Sequence, residues 1–65
     1  MKVIVNNEPR EVRGRTLAEL LEELGFGGTV VATAVNGQFA STGARATREL
    51  AEGDRIEVLA PMQGG

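Results

Sequence analysis

Apolar and polar side chains alternate over residues 1–5, with Met1, Val3 and Val5 on one face and Lys2 and Ile4 on the other. That period of two predicts a strand. Asn6-Asn7 follows, and asparagine tolerates the left-handed backbone that a tight hairpin requires. A return strand is expected from about 9 to 13, with Arg10 and Val12 facing opposite to Glu11 and Arg13. Its charges and Pro9 mark it as a sheet edge, where a missing N–H does no harm. The period then lengthens. Leu17, Leu20, Leu21 and Leu24 fall on one stripe of a helix, while Glu19, Glu22 and Glu23 lie off it towards water. Thr16-Leu17-Ala18-Glu19 is a capping-box pattern that starts this helix. Gly25 stands where a left-handed cap ends it, and Gly27-Gly28 continues the loop.

Residues 29–35 are β-branched and alanine-rich and read as a buried strand. Asn36-Gly37 is the strongest short hairpin signal in the chain, and residues 38–41 are expected to return as a short strand. Residues 42–51 read as a loop with one helical turn, anchored by Leu50. After a turn at Glu52-Gly53-Asp54, residues 55–60 alternate again. Ile56, Val58 and Ala60 share one face, and Glu57 and Leu59 the other. One helix covers only one face of a four- or five-stranded mixed sheet, so the order predicts a two-layer α+β domain. With the first and last strands as neighbours, this is the β-grasp, or ubiquitin-like, arrangement. Residues 1–60 are expected to form the domain, and residues 61–65 a flexible C-terminal tail.

Composition narrows the chemistry. The 65 residues hold one domain, with Phe26 and Phe39 as the only aromatics. The chain has no cysteine and no histidine, which excludes disulfides and thiolate or imidazole metal sites. It also removes the commonest nucleophile–base pairs. Ser41 has no base candidate nearby in the sequence, and Glu22-Glu23 lies on a solvated helix face. A chain this small is not expected to wall off a substrate cavity and keep a core as well. The formal net charge is −2, with both signs interspersed. That gives no footprint for nucleic acid and no polybasic patch for a membrane. No apolar run approaches the roughly 20 residues of a membrane span, and no signal-peptide pattern opens the chain. The expectation is a cytoplasmic protein that is not an enzyme and holds neither cofactor nor metal.

The remaining chemistry lies at the end, Pro61-Met62-Gln63-Gly64-Gly65. Pro61 cannot donate to a sheet ladder, so strand pairing is expected to stop about there. Gly64 and Gly65 lack Cβ atoms and have a thin, freely turning backbone. Such an end can thread a narrow catalytic channel on another protein. Its carboxylate is a poor electrophile and needs activation, for example as an acyl-adenylate, before sulfur or an amine attacks it.

These features together resemble the ThiS family, the sulfur carriers of thiamine thiazole biosynthesis. The resemblance rests on Met1-Lys2-Val3-Ile4-Val5-Asn6, on Thr16-Leu17-Ala18-Glu19-Leu20-Leu21 and on Val35-Asn36-Gly37. It continues through Glu52-Gly53-Asp54-Arg55-Ile56-Glu57-Val58-Leu59 to Gly64-Gly65 and spans nearly the whole chain. Two places depart from the family pattern. Ala40-Ser41 stands where a proline-arginine element is common, and Ala46 or Thr47 where an aromatic often stands. The resemblance implies a carrier whose Gly65 carboxylate is adenylated by a partner enzyme using ATP and magnesium. A sulfur donor protein would convert it to a thiocarboxylate, and thiazole synthase would receive the sulfur.

Ile4 and Leu59 are expected on the outer face of the sheet, on adjacent strands, as an apolar docking patch extended by Met62. Other functions use the same features. A sister carrier could serve molybdopterin, tRNA thiolation or cysteine synthesis. A ubiquitin-like modifier would end in an isopeptide bond, and a plain β-grasp binding module would leave the tail inert.

Overall fold

The computed structural model describes residues 1–60. Strands β1 (Lys2–Val5) and β2 (Glu8–Glu11) form the first hairpin. Asn6 and Asn7 both take positive φ, 50° and 69°, as a two-residue hairpin turn demands. Helix α1 (Leu17–Glu23) follows. The second hairpin comprises β3 (Ala32–Val35) and β4 (Gln38–Ala40), turning on Asn36 and Gly37 at φ 51° and 81°. A 3₁₀ turn, Thr42–Ala44, leads on towards β5 (Arg55–Leu59).

The five strands form one mixed sheet in the order β2-β1-β5-β3-β4. The last strand therefore lies at its centre, parallel to β1 and antiparallel to β3. The edge position expected for the charged return strand is the one β2 occupies. The helix starts on the full capping box: Thr16 Oγ1 accepts from Glu19 N at 3.2 Å, and the Glu19 carboxylate accepts from Thr16 N at 3.3 Å. Its leucines Leu17, Leu20 and Leu21 are buried against Val3, Val5, Val35, Ile56 and Val58 from one face of the sheet. Val12, Val31 and Ala40 complete the core, and Met1, Leu24, Phe26 and Leu50 pack on its margin. Gly25 takes a left-handed φ of 91° just past the helix.

Two expectations are corrected. The strand predicted over 29–35 is confined to Ala32–Val35 and is buried on alternate residues rather than throughout. The reason is the single helix: it covers one face, so every second residue points to the open side. Ala60, expected on the buried face of the last strand, is exposed and lies beyond β5. The neighbouring strand β3 begins at Ala32, opposite Leu59, and supplies no partner for Ala60.

Candidate functional site at the end of the central strand

Strand β5 delivers the chain to its last residues, and its end outruns its neighbour on one side. Strand β1 pairs only as far as Val5 with Ile56, after which Asn6 N donates to Ile56 O at 2.9 Å. Beyond that point the chain turns into the hairpin. The Asn6 carboxamide takes over the missing strand's role. Its Oδ1 accepts from Val58 N at 2.8 Å and its Nδ2 donates to Val58 O at 3.1 Å. On the other side, Val58 and Leu59 pair with Thr33 and Ala32 of β3.

Strand β3 is itself short of a neighbour here, because β4 ends at Ala40 and the chain leaves through the 3₁₀ turn. Arg45 fills that gap. Its Nη2 donates to the Val31 carbonyl at 2.6 Å and its Nε to Thr33 Oγ1 at 3.0 Å. Thr33 Oγ1 in turn donates to Ala40 O at 2.8 Å. Thr33 is the only buried polar or charged residue among those described, and it is fully partnered.

At the start of β5, Asn36 repeats the first hairpin's device. Its Oδ1 accepts from Arg55 N at 3.0 Å, and its Nδ2 donates to the Asp54 carboxylate at 3.0 Å. The turn asparagine of each hairpin thus grips the central strand.

Three large apolar side chains are well exposed: Val30 (79% exposed), just before β3, and Phe39 (75%) and Leu59 (66%) on the open face of the sheet. Val30, Val31, Ala32, Leu59 and Ala60 surround a shallow, mainly apolar hollow of about 310 Å³ at the end of β5. Of the residues expected to dock a partner, Leu59 lies in this hollow. Ile4 does not. It sits opposite Arg55, four residues back along β5, and lines a separate hollow with Asn7, Gly37, Arg55 and Glu57. At ~3.3 Å per residue the two are about 13 Å apart along the strand direction. They share a face without forming one patch. Met62, Gly64 and Gly65 lie outside the described residues. Neither Val30 nor Phe39 stands out in the sequence as a site residue. The signal for Phe39 was its place in a short strand opposite Ala34, on the uncovered face.

A larger open cleft of about 770 Å³ lies at the opposite end of the sheet, between Met1, Val12, Arg13, Arg15, Thr16, Glu19, Glu49 and Leu50. Thr16 and Glu19 there are tied up in the helix cap. Nothing there pairs a nucleophile with a base. Among the described residues no group of three or more acidic, histidine or cysteine side chains could hold a metal ion. No helix among them is long and apolar enough to cross a membrane. One carboxylate is clearly perturbed. Glu23 accepts from Gly14 N at 2.9 Å and Arg13 N at 3.0 Å, and these two N–H groups hold its pKa below the usual glutamate range. It ties the end of α1 to the preceding loop.

Comparison with known proteins agrees with this geometry. The family model described as "ThiS family" matches residues 3–65. The sulfur carrier protein ThiS of Thermus thermophilus is 43% identical over 63 residues, covering 97% of this chain and 98% of that protein. A crystal structure of the thiamine biosynthesis protein ThiS of Geobacter metallireducens superposes with a TM-score of 0.84 at 30% identity, over the full length of both chains. A solution structure of a thiamine biosynthesis protein from the same organism gives 0.79 at 30% identity, covering all of this chain and 88% of that one.

Proposed function

The chain belongs to the ThiS family, and from that premise we propose that it carries sulfur for thiamine biosynthesis on its C-terminal Gly65. It is a small carrier rather than a catalyst. The observation that carries this reading is that the family match runs through residue 65 and so takes in Gly64-Gly65.

In this reading the Gly65 carboxylate attacks the α-phosphate of ATP on a partner adenylating enzyme with magnesium, and pyrophosphate leaves. Sulfide (HS⁻) delivered by a donor protein then attacks the acyl carbon, AMP departs, and a thiocarboxylate remains. Thiazole synthase takes the sulfur, an oxygen from the acceptor or from water replaces it at the acyl carbon, and the carboxylate is regenerated for another round. The chain itself binds neither ATP nor metal, and it works in the cytoplasm. Its own contribution is a thin end on a rigid domain, with an apolar hollow around Leu59 for the partner to grip. Ile4 offers a second, separate contact on the same face, and Met62 a third along the tail.

The test is the intact mass of the chain after incubation with its adenylating enzyme, ATP, magnesium and a sulfur donor. A gain equal to the replacement of one oxygen by sulfur, abolished when Gly65 is deleted, is expected. An unchanged mass, with the enzyme active on another carrier, would sink the proposal.

A further inference from the structure

Where β5 ends, the sheet is no longer five strands wide. Strand β1 stops at Val5 and β4 at Ala40, which still pairs with Thr33, so the Ala32–Leu59 pair of β3 and β5 projects beyond both flanking strands as a short two-stranded tongue. Two isolated strands are marginally stable in water. Each open side of the tongue is closed by one side chain instead of a strand. Asn6 bonds both backbone groups of Val58 on one side, and Arg45 bonds the Val31 carbonyl and the Thr33 hydroxyl on the other. Arg45 makes these bonds to neutral oxygens, with no carboxylate within 4.0 Å among the described residues. Its guanidinium, half-buried, is therefore committed to this one segment.

The tongue carries the Val30–Leu59–Ala60 hollow, and β5 leads from it directly into the tail. We propose that Asn6 and Arg45 are positioning residues for the carrier's activation. Asn6 fixes the direction in which the chain leaves β5. Arg45 holds Val30 and Val31 beside Leu59, so that the docking hollow is preformed when the partner arrives. An unbraced tongue would have to be ordered during docking, and that cost falls on the encounter rather than on the chemical step. The inference rests on the carrier function proposed above.

The experiment uses the full-length chain with its adenylating enzyme and follows ATP–pyrophosphate exchange as a function of carrier concentration. Asn6→Asp keeps the acceptor for Val58 N–H and loses the donor to its carbonyl. Arg45→Gln shortens the reach and removes the fork, and Arg45→Lys restores a single donor. The expected result is a KM for the carrier raised about tenfold in Asn6→Asp and Arg45→Gln, the worth of roughly one lost hydrogen bond. The kcat should change less than about twofold, with partial recovery in Arg45→Lys. Amide exchange at Val58 and Ala32 should quicken more than exchange in α1 and β1, which separates a local brace from general loss of stability. Unchanged KM in both variants, or equal losses in KM and kcat, would overturn the positioning role. Failure of the wild-type chain to support exchange at all would instead overturn the carrier function.

Discussion

Asn6 and Val58 are joined by two hydrogen bonds, Val58 N to Oδ1 at 2.8 Å and Nδ2 to Val58 O at 3.1 Å, across 52 positions of sequence. A carboxamide has one acceptor and one donor arm, which makes it a copy of the peptide group that β1 no longer supplies. The same residue forms the hairpin turn, at φ 50°. Turn formation and the fixing of the central strand therefore meet in one residue, the first through its backbone and the second through its side chain.

Substitution separates these two roles. Asn6→Gly keeps the left-handed backbone and removes the clamp, and should cost about 1–3 kcal/mol for the half-buried pair left unmade. Asn6→Ala adds backbone strain of about 1 kcal/mol or more. Urea unfolding at neutral pH should rank them wild type, Gly, Ala in falling stability. Equal midpoints for Gly and wild type would show that water replaces the clamp without loss.

Gly14 is required for closeness rather than for φ. A Cβ there would lie 2.9 Å from Glu19 Cβ and 3.0 Å from the Glu19 carbonyl carbon and Leu20 N. Gly14→Ala must push the first turn of α1 away from the loop, at about 1–3 kcal/mol. Gly43→Ala is the control, since its Cβ meets nothing within 4 Å. Thermal unfolding should show a clear drop in Tm for the first and little change for the second.

Glu23 gives the stability a dependence on pH. Its folded pKa is lowered by the N–H groups of Gly14 and Arg13. A lowered pKa contributes stability that is present above the unfolded value, ~4.3 for glutamate. That contribution is lost as the pH falls through the folded value. Glu23→Gln should thus be less stable than wild type at pH 7, with the gap closing below about pH 4. A gap that persists unchanged at low pH would mean that the carboxylate's charge is not what holds the loop.

The apolar hollow makes a prediction about partners. Val30→Glu and Leu59→Glu place a charge on exposed positions outside the core, so Tm should stay near wild type. Adenylation should slow by roughly tenfold or more, as when an interface anchor is removed. Normal kinetics with both variants would move the docking surface elsewhere on the chain.

What the sequence made legible was local. Asn36-Gly37, the Thr16 and Glu19 cap, the leucine stripe and the Gly25 stop each depend on residues within a few positions of one another, and each stands in the structure as read. That the first and last strands are neighbours was also legible, from the order of one helix and two hairpins. The register between distant strands was not. Ile4 and Leu59 share a face, but their separation follows from Ile4 lying opposite Arg55, which no local pattern encodes. The outward turn of Val30 was hidden for a similar reason. A run of β-branched residues reads as buried unless it is known where β3 begins and that its other face is bare. Asn6 read as a turn residue and nothing more, since its second role exists only once β5 runs past the end of β1.

The central place of β5 bears on synthesis and quality control. The strand that joins the two hairpins is the last to leave the ribosome. Until it arrives, β1 has no inner neighbour and β3 is paired only with β4. Closure therefore waits for contacts of very high sequence separation, which form late and depend on the loops already being in place. A chain whose synthesis has not yet passed β5 lacks both the tongue and its hollow, so a partner that grips them would meet only chains whose sheet has closed.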